Sequence, residues 1–167
     1  WQSLSWSALA VLVRELACGL AHAGLQRGQH IVVVAENRPR LSAVMLAAQS
    51  LGAIPVPLYQ DAAASEYVFP INNAEIALAV VEDQEQVDKM IELRESCPQI
   101  SRIWYDDPRG LRKYDTPGLQ SLDELVEAGR TYHAQSPKFF DEQVAQGRPQ
   151  DVAAMFFTSG TTGNPKG

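Results

Sequence analysis

Short runs of apolar residues alternate along this chain with segments whose apolar residues recur at helical spacing. Between Leu9 and Leu20 the apolar side chains return every three or four residues, which predicts an amphipathic first helix. The next run, Ile31 to Ala35, is apolar at every position and rich in β-branched residues. Such runs are typical of strands that are buried on both faces of a parallel sheet.

The same alternation continues to the end of the chain and predicts an α/β fold. Further helices are predicted to begin at Pro39, Ala63, Asp83, Ser121 and Lys138, and further strands to span 54–58, 76–81, 100–105 and 152–157. Repeated strand–helix–strand units favour right-handed crossovers and a largely parallel sheet with flanking helices. Ligands of such sheets bind at the carboxyl ends of the strands, so the residues that follow Phe157 are the first candidates for a site.

Prolines modify two of these predictions. Pro55 and Pro57 lack the N–H groups that a strand ladder uses, so the strand over 54–58 is predicted to lie at an edge of the sheet. Pro70 weakens the prediction of a helix over 63–73, because proline removes a hydrogen bond from a helix interior.

Composition and charge exclude several function classes. The chain has 14 Lys and Arg against 20 Asp and Glu, a net charge of −6, which disfavours a general nucleic-acid binder with a basic face. Two cysteines are too few for a disulfide scaffold, so we expect a reduced, cytoplasmic setting. The uncharged stretch from Leu41 to Gln60 changes periodicity halfway and is predicted to be a helix followed by a strand, not a membrane span.

The strongest candidate site follows the last predicted strand and reads Thr158-Ser159-Gly160-Thr161-Thr162-Gly163-Asn164-Pro165-Lys166-Gly167. Its three glycines let backbone N–H groups converge on an anion, its four hydroxyls add donors, and Lys166 supplies a charge suited to phosphate oxygens. Phosphate binding is therefore predicted; an ordinary turn is the alternative. The run does not fit the Walker A pattern, and no G-x-G-x-x-G follows the 31–35 strand, which disfavours Rossmann-type dinucleotide binding.

The run from Phe157 to Gly167 resembles the phosphate-loop signature of the adenylate-forming enzymes, the superfamily of acyl-CoA synthetases, luciferases and peptide-synthetase adenylation domains. Softer similarities at 36–39, 52–59 and 149–151 resemble the long-chain acyl-CoA synthetases in particular. The resemblance implies that a fatty-acid carboxylate attacks the α-phosphate of ATP with release of pyrophosphate. The acyl group then passes from the acyl-adenylate to coenzyme A, the co-substrate.

The resemblance also implies roles for individual residues of the loop. Lys166 is the implied catalytic residue, because its charge faces the pyrophosphate leaving group, and Thr158 is the implied ligand of Mg²⁺. The implied contacts to the β- and γ-phosphates are made by Ser159, Gly160, Thr161, Thr162, Gly163 and Lys166.

The chain is expected to be a fragment. It begins at Trp1 without Met and stops at Gly167 inside the glycine-rich motif. Members of the adenylate-forming family that it resembles are several times longer. We therefore expect residues 1–167 to form a single α/β region, the N-terminal portion of an AMP-binding domain, that is inactive by itself. Peripheral membrane contact and the oligomeric state of the full-length protein stay open.

Two alternatives to a fatty-acyl-CoA synthetase also stay open. The acid could be an aryl, short-chain or amino acid, with CoA or a carrier-protein thiol as acceptor, because the acyl pocket is absent from this sequence. A non-catalytic α/β module that binds phosphate or nucleotide belongs to another function class.

The remaining notable residues are given structural interpretations. Arg38 is expected to belong to a helix-entry turn before Pro39, and the charged stretch 82–95 is expected to be a solvated helix face. No catalytic or metal role is predicted for the remaining histidines, cysteines and notable aromatic residues. The histidines are expected to be surface or satisfied residues, the cysteines small packing residues, and the aromatic residues core or sheet-face residues: His22, His30, His133, Cys18, Cys97, Trp6, Trp104 and Tyr105.

Overall fold

The computed structural model describes residues 3–158 and 165–167. Its α-helices are α1 (Trp6–His22), α2 (Pro39–Ser50), α3 (Ala64–Asn73), α4 (Gln84–Glu92), α5 (Leu122–Gln135) and α6 (Phe139–Ala145). Its strands are β1 (His30–Val34), β2 (Ile54–Leu58), β3 (Leu78–Val81), β4 (Arg102–Tyr105) and β5 (Leu119–Ser121). Short 3-10 helices span Leu93–Glu95 and Leu111–Lys113.

The strands form one parallel sheet in the order β2-β1-β3-β4-β5. The predicted α/β class with a parallel sheet is confirmed, and β2 lies at an edge as its prolines predicted. The strand β5 was not predicted, because three half-buried residues in a turn-rich segment carry too little apolar pattern to be recognised.

Helices cover both faces of the sheet, so the strands are buried on two sides. Ile31 and Val33 of β1 point into a core formed with α1, α2 and α5. Val32 and Val34 point into a second core formed with α3 and α4. Successive side chains of a strand alternate between faces, which is why the run from Ile31 to Val34 has no polar position.

Local capping fixes where two helices begin. The Asp83 carboxylate accepts a hydrogen bond from the Gln86 N–H at 3.3 Å at the start of α4. At the start of α5, the Ser121 hydroxyl accepts from the Glu124 N–H at 3.2 Å, and the Glu124 carboxylate accepts from the Ser121 N–H at 2.7 Å. Both predicted starts are confirmed. The helix α3 also forms, and it runs through Pro70 without ending there.

The strand predicted over 152–157 is wrong, and the edge prolines supply the reason. The Ile54 N–H bonds to Gln29 in the strand ladder with β1, whereas the Pro55 carbonyl faces the other way and accepts from the Met155 N–H at 3.1 Å. By alternation, the missing N–H groups of Pro55 and Pro57 belong to the outer edge. That edge offers carbonyl acceptors without donors, so segment 152–157 cannot build a two-way ladder on it.

Two aromatic predictions had opposite outcomes. Trp104 is 1% exposed in the core, as expected. Trp6, expected in the core, is 86% exposed on the first turn of α1. Its spacing from Leu9 and Val13 places it on the apolar face of the helix, but it lies on the first turn, where it lines a surface cleft with these residues and does not reach the core.

Candidate functional site

Thr158 and Lys166, the two ends of the predicted phosphate loop, lie side by side. The Thr158 N–H donates to the Lys166 carbonyl at 2.8 Å, and the Lys166 N–H donates to the Thr158 carbonyl at 3.0 Å. Both residues are exposed. The other predicted phosphate ligands, residues 159–163, lie outside the described residues. We call Phe157, Thr158, Pro165 and Lys166 the loop stem.

The loop stem is anchored beside β2 and α3. Upstream, the Met155 N–H bonds to the Pro55 carbonyl of β2 at 3.1 Å, and the Gln49 side chain donates to the Ala153 carbonyl at 2.8 Å. The Phe157 ring packs edge-on against Phe69 of α3, with 6.3 Å between ring centroids. These contacts hold the loop stem near the carboxyl end of a parallel strand, where α/β sheets commonly bind ligands.

A cleft of about 450 Å³ separates the loop stem from the turn that follows β2. Its walls are formed by Leu58, Tyr59, Asp61, Ala62, Glu66, Tyr67, Pro70, Phe157, Thr158 and Pro165. The Tyr59 side chain is 73% exposed, and its hydrogen bond to Asp61 raises the pKa of the phenol. The cleft therefore combines apolar walls with hydroxyl and carboxylate groups at one end of the loop stem.

A second place for a ligand in this topology is the crevice between β1 and β3. In the strand order found here, the connections from β1 and from β3 diverge, and such switch points often hold the ligand of an open α/β sheet. Glu82, which directly follows β3, occupies this crevice. Its carboxylate accepts one hydrogen bond from the Glu36 N–H at 2.7 Å and another from the Arg38 Nε at 2.7 Å.

The burial of Glu82 corrects one prediction and supports another. Glu82 is 7% exposed and Gln86 is 5% exposed, so the interpretation of 82–95 as a uniformly solvated face is wrong at these two positions. Arg38 has the structural role that was expected, although through an ion pair and not only through a turn. Glu82 was not among the predicted site residues, although it is the first charged residue after a wholly apolar strand, a position where the chain reaches the carboxyl edge.

The adjacent part of the carboxyl edge also carries ion pairs within the protein. Arg40 lies 3.0 Å from Asp106, which follows β4, and 2.6 Å from Asp123 at the start of α5. Burial raises the pKa of Asp106, and the attraction of Arg40 offsets this only in part. Because these charges already have protein partners, the end of β2 with its cleft and loop stem is the best candidate site.

The groups at the loop stem fit the predicted ligands chemically. Mg²⁺ is usually held by one or two protein oxygens together with substrate phosphates, and the exposed Thr158 hydroxyl is an oxygen ligand of that kind. Lys166 offers an exposed ammonium group for phosphate oxygens. Within 3–158 and 165–167, three or more His, Cys, Asp or Glu side chains nowhere gather into a metal-binding group. Metal binding at Thr158 thus stays a prediction.

Other sequence-based interpretations concern residues away from this site. Cys18 and Cys97 are buried free thiols, and burial raises the pKa of both, which agrees with packing residues and not with nucleophiles.

Among the described helices, none combines the length and the apolar character that crossing a membrane requires.

Comparison with known proteins adds a family assignment to this geometry. The family model described as AMP-binding enzyme matches residues 1–167. Long-chain-fatty-acid–CoA ligase FadD15 of Mycobacterium bovis is 28% identical over the whole chain, which covers 26% of that protein. Long-chain-fatty-acid–CoA ligase 6 of Mus musculus is 29% identical over the whole chain, which covers 24% of it. The chain thus spans about a quarter of the length of these relatives.

Solved structures share the fold. A crystal structure of the anthranilate CoA ligase AuaEII in complex with anthranoyl-AMP matches with a TM-score of 0.80 at 17% identity, over 98% of this chain and 29% of that one. A red-emitting luciferase from Phrixothrix hirtus matches with a TM-score of 0.74 at 18% identity, over 99% of this chain and 30% of that one. At these identities the matches establish the architecture alone.

Proposed function

Because this chain belongs to the AMP-binding enzyme family, whose model matches residues 1–167, we propose that it is part of an ATP-dependent fatty-acid–CoA ligase. The full-length protein would activate a long-chain fatty acid as its acyl-adenylate, release pyrophosphate and transfer the acyl group to coenzyme A. The observation that carries the substrate class is the similarity of the whole chain to long-chain-fatty-acid–CoA ligases at 22–29% identity.

The loop stem would supply the electrostatic part of the adenylation step. Negative charge grows on the departing pyrophosphate as the carboxylate attacks the α-phosphate, and donors aimed at that charge lower the barrier. Lys166 would meet this charge, together with the hydroxyl and N–H groups of Ser159, Gly160, Thr161, Thr162 and Gly163. The hydrogen-bonded pairing of Thr158 with Lys166 supports this role, since it holds the Lys166 backbone in a defined position.

A magnesium ion bound with ATP would neutralise phosphate charge and orient the nucleotide. Thr158 would contribute a hydroxyl ligand to it. The exposure of Thr158 at the surface of the loop stem supports this assignment, and among the described residues its hydroxyl has one protein partner, the Lys166 carbonyl at 3.4 Å.

We further propose that residues 1–167 form the N-terminal portion of the AMP-binding domain and are inactive alone. The chain is about a quarter of the length of its relatives, so the acyl pocket and the remaining nucleotide contacts would come from other parts of the protein. The two buried free thiols favour a reducing compartment such as the cytoplasm.

The experiment is carboxylate-dependent ATP–pyrophosphate exchange by the full-length protein with acetate, benzoate, amino acids and palmitate. Exchange with palmitate alone would support the fatty-acyl proposal. Exchange with another acid would keep the adenylation chemistry and reject the proposed substrate. The absence of exchange with every acid would favour a non-catalytic module that binds phosphate or nucleotide.

An aryl acid is the second candidate substrate. A solved structure with this fold is an anthranilate CoA ligase, matched at a TM-score of 0.80 and 17% identity, but that identity supports the shared fold and not the substrate. Benzoate in the exchange assay separates the two, because an aryl ligase would exchange with benzoate and not with palmitate.

A further inference from the structure

The turn between β2 and α3, residues 59–62, is held by two donors that reach it from different helices, one buried and one partly buried. Tyr67 of α3 is 1% exposed, and its hydroxyl lies 2.9 Å from the Tyr59 carbonyl and 3.3 Å from the Gln60 carbonyl. Lys89 of α4 donates from Nζ to the same Gln60 carbonyl at 2.5 Å. We call residues 59–62 the β2–α3 turn.

Tyr67 and Lys89 restrain the backbone of the β2–α3 turn through hydrogen bonds, in addition to packing against neighbouring residues. The Lys89 side chain is 15% exposed and also pairs with Glu85 at 2.8 Å. Its aliphatic part is therefore packed, and its ammonium group points at the Gln60 carbonyl oxygen. Hydrogen bonds from a charged donor are stronger than neutral ones. Burial, together with nearby carboxylates, raises the pKa of Tyr67 to about 12, so its hydroxyl remains a donor at physiological pH.

The β2–α3 turn forms the wall of the cleft that faces the loop stem. Tyr59, Asp61 and Ala62 line one side, and Phe157, Thr158 and Pro165 line the other. The same helix that carries Tyr67 also carries Phe69, which packs on Phe157 of the loop stem. The turn and the loop stem thus share α3 as their support.

We propose that Tyr67 and Lys89 are positioning residues for the phosphate loop, acting through the β2–α3 turn and without touching the nucleotide. By holding the carbonyls of Tyr59 and Gln60, they fix the wall of the cleft that faces the loop stem. They also fix the start of α3, on which Phe157 packs through Phe69, and so the position of Thr158 and Lys166. The inference rests on the proposed function of that loop in binding the phosphates of ATP.

The test uses Tyr67→Phe and Lys89→Met in the full-length protein. Tyr114→Phe is the matched control for the tyrosine, because the Tyr114 hydroxyl bonds Gln84 and Asp88 of α4 without reaching the turn. Glu85→Gln is the control for the lysine, since it removes the charge partner of Lys89 and leaves the bond to Gln60. Palmitate-dependent ATP–pyrophosphate exchange gives the KM for ATP and for palmitate, and hydrogen exchange gives the protection of the Thr158 and Lys166 amides.

Both test variants should raise the KM for ATP about three- to tenfold, leave the KM for palmitate within twofold, and speed exchange of the Thr158 and Lys166 amides. The controls should match the wild type. An equal rise in both KM values would overturn the proposal in favour of a general structural role, as would unchanged amide protection. If the wild type shows no pyrophosphate exchange, the proposed function fails, and amide protection alone then decides whether Tyr67 and Lys89 position the loop stem.

Discussion

The Arg38 Nε donates a 2.7 Å hydrogen bond to the Glu82 carboxylate, and this pair joins the carboxyl ends of β1 and β3. The second oxygen of Glu82 accepts from the Glu36 N–H, so the carboxylate occupies the crevice where many sheets of this topology bind a ligand. An internal carboxylate that is already bonded leaves little room there for a phosphate. The loop stem beside β2 is therefore the better place for an anionic ligand.

Removing the Glu82 carboxylate should destabilise the junction of β1 and β3. Glu82→Ala removes the acceptor of the Glu36 N–H and of the Arg38 Nε, and we expect a loss of about 2 kcal/mol in local stability. Native-state hydrogen exchange of the β3 amides in the full-length protein measures this. Glu127→Ala is the control, because that side chain is 66% exposed against 9% for Glu82. Equal effects of the two variants would contradict a special role for Glu82.

The crossing of α1 and α5 depends on two glycines. A Cβ at Gly129 would overlap the backbone oxygen of Glu15, and a Cβ at Gly19 would overlap the backbone oxygen of Leu125. Since a backbone cannot yield as a flexible side chain can, Gly129→Ala should cost about 2 kcal/mol or more despite the better helix propensity of alanine. Amide exchange in α1 and α5 measures the loss.

A matched control for this crossing is Gly147→Ala. The nearest atom to a Cβ at Gly147 is the Val144 carbonyl oxygen at 3.2 Å, so a small shift can accommodate the methyl group, and we expect a change below about 0.5 kcal/mol. A loss of stability for Gly129→Ala as small as that for Gly147→Ala would contradict this prediction. It would mean that α1 and α5 can move apart without a cost in stability.

Lys166→Ala should slow adenylation by about tenfold or more and leave the affinity for the fatty acid nearly unchanged. The lysine charge would face the leaving pyrophosphate. It would therefore stabilise the transition state of adenylation more than it stabilises the bound fatty acid. Rates of palmitate-dependent pyrophosphate exchange in the full-length protein measure this. Lys113→Ala, at an exposed position after β4, should behave as the wild type. An unchanged adenylation rate in the Lys166 variant would remove this residue from the mechanism.

The raised pKa of Tyr67 predicts a specific response to alkaline pH. In the folded state the pKa is about 12 instead of 10.0, so folding favours the neutral phenol. Its contribution to stability is complete below pH 10.0 and is lost as the pH rises through about 12. The Tm advantage of the wild type over Tyr67→Phe should therefore shrink across this range, and a constant difference would contradict the raised pKa.

Several features could be predicted from sequence because their causes are local. The starts of α4 and α5 follow from Asp83 and Ser121, whose side chains cap backbone N–H groups only three residues away. The buried strands follow from apolar runs that leave no polar face. The candidate loop was recognised from its glycines, hydroxyls and lysine, which lie within ten consecutive residues.

Other predictions failed because the deciding partner lies far along the chain. The segment 152–157 has the composition of a strand, but it meets an edge of β2 whose outward donors are missing at Pro55 and Pro57. The charged stretch after β3 has the pattern of a solvated helix, yet Glu82 is buried because Arg38 and the Glu36 N–H, 44 and 46 residues away, meet it at the carboxyl edge.

The sequence by itself determined the α/β class, the helix starts, the edge position of β2 and the identity of the candidate loop, since apolar periodicity, capping and proline chemistry act over a few residues. Only the tertiary structure decided the order β2-β1-β3-β4-β5, the closure of the β1–β3 crevice by Glu82 and the support of the β2–α3 turn by Tyr67 and Lys89. These features depend on which distant segments pair in the sheet, and that choice is made by the packing of the whole core.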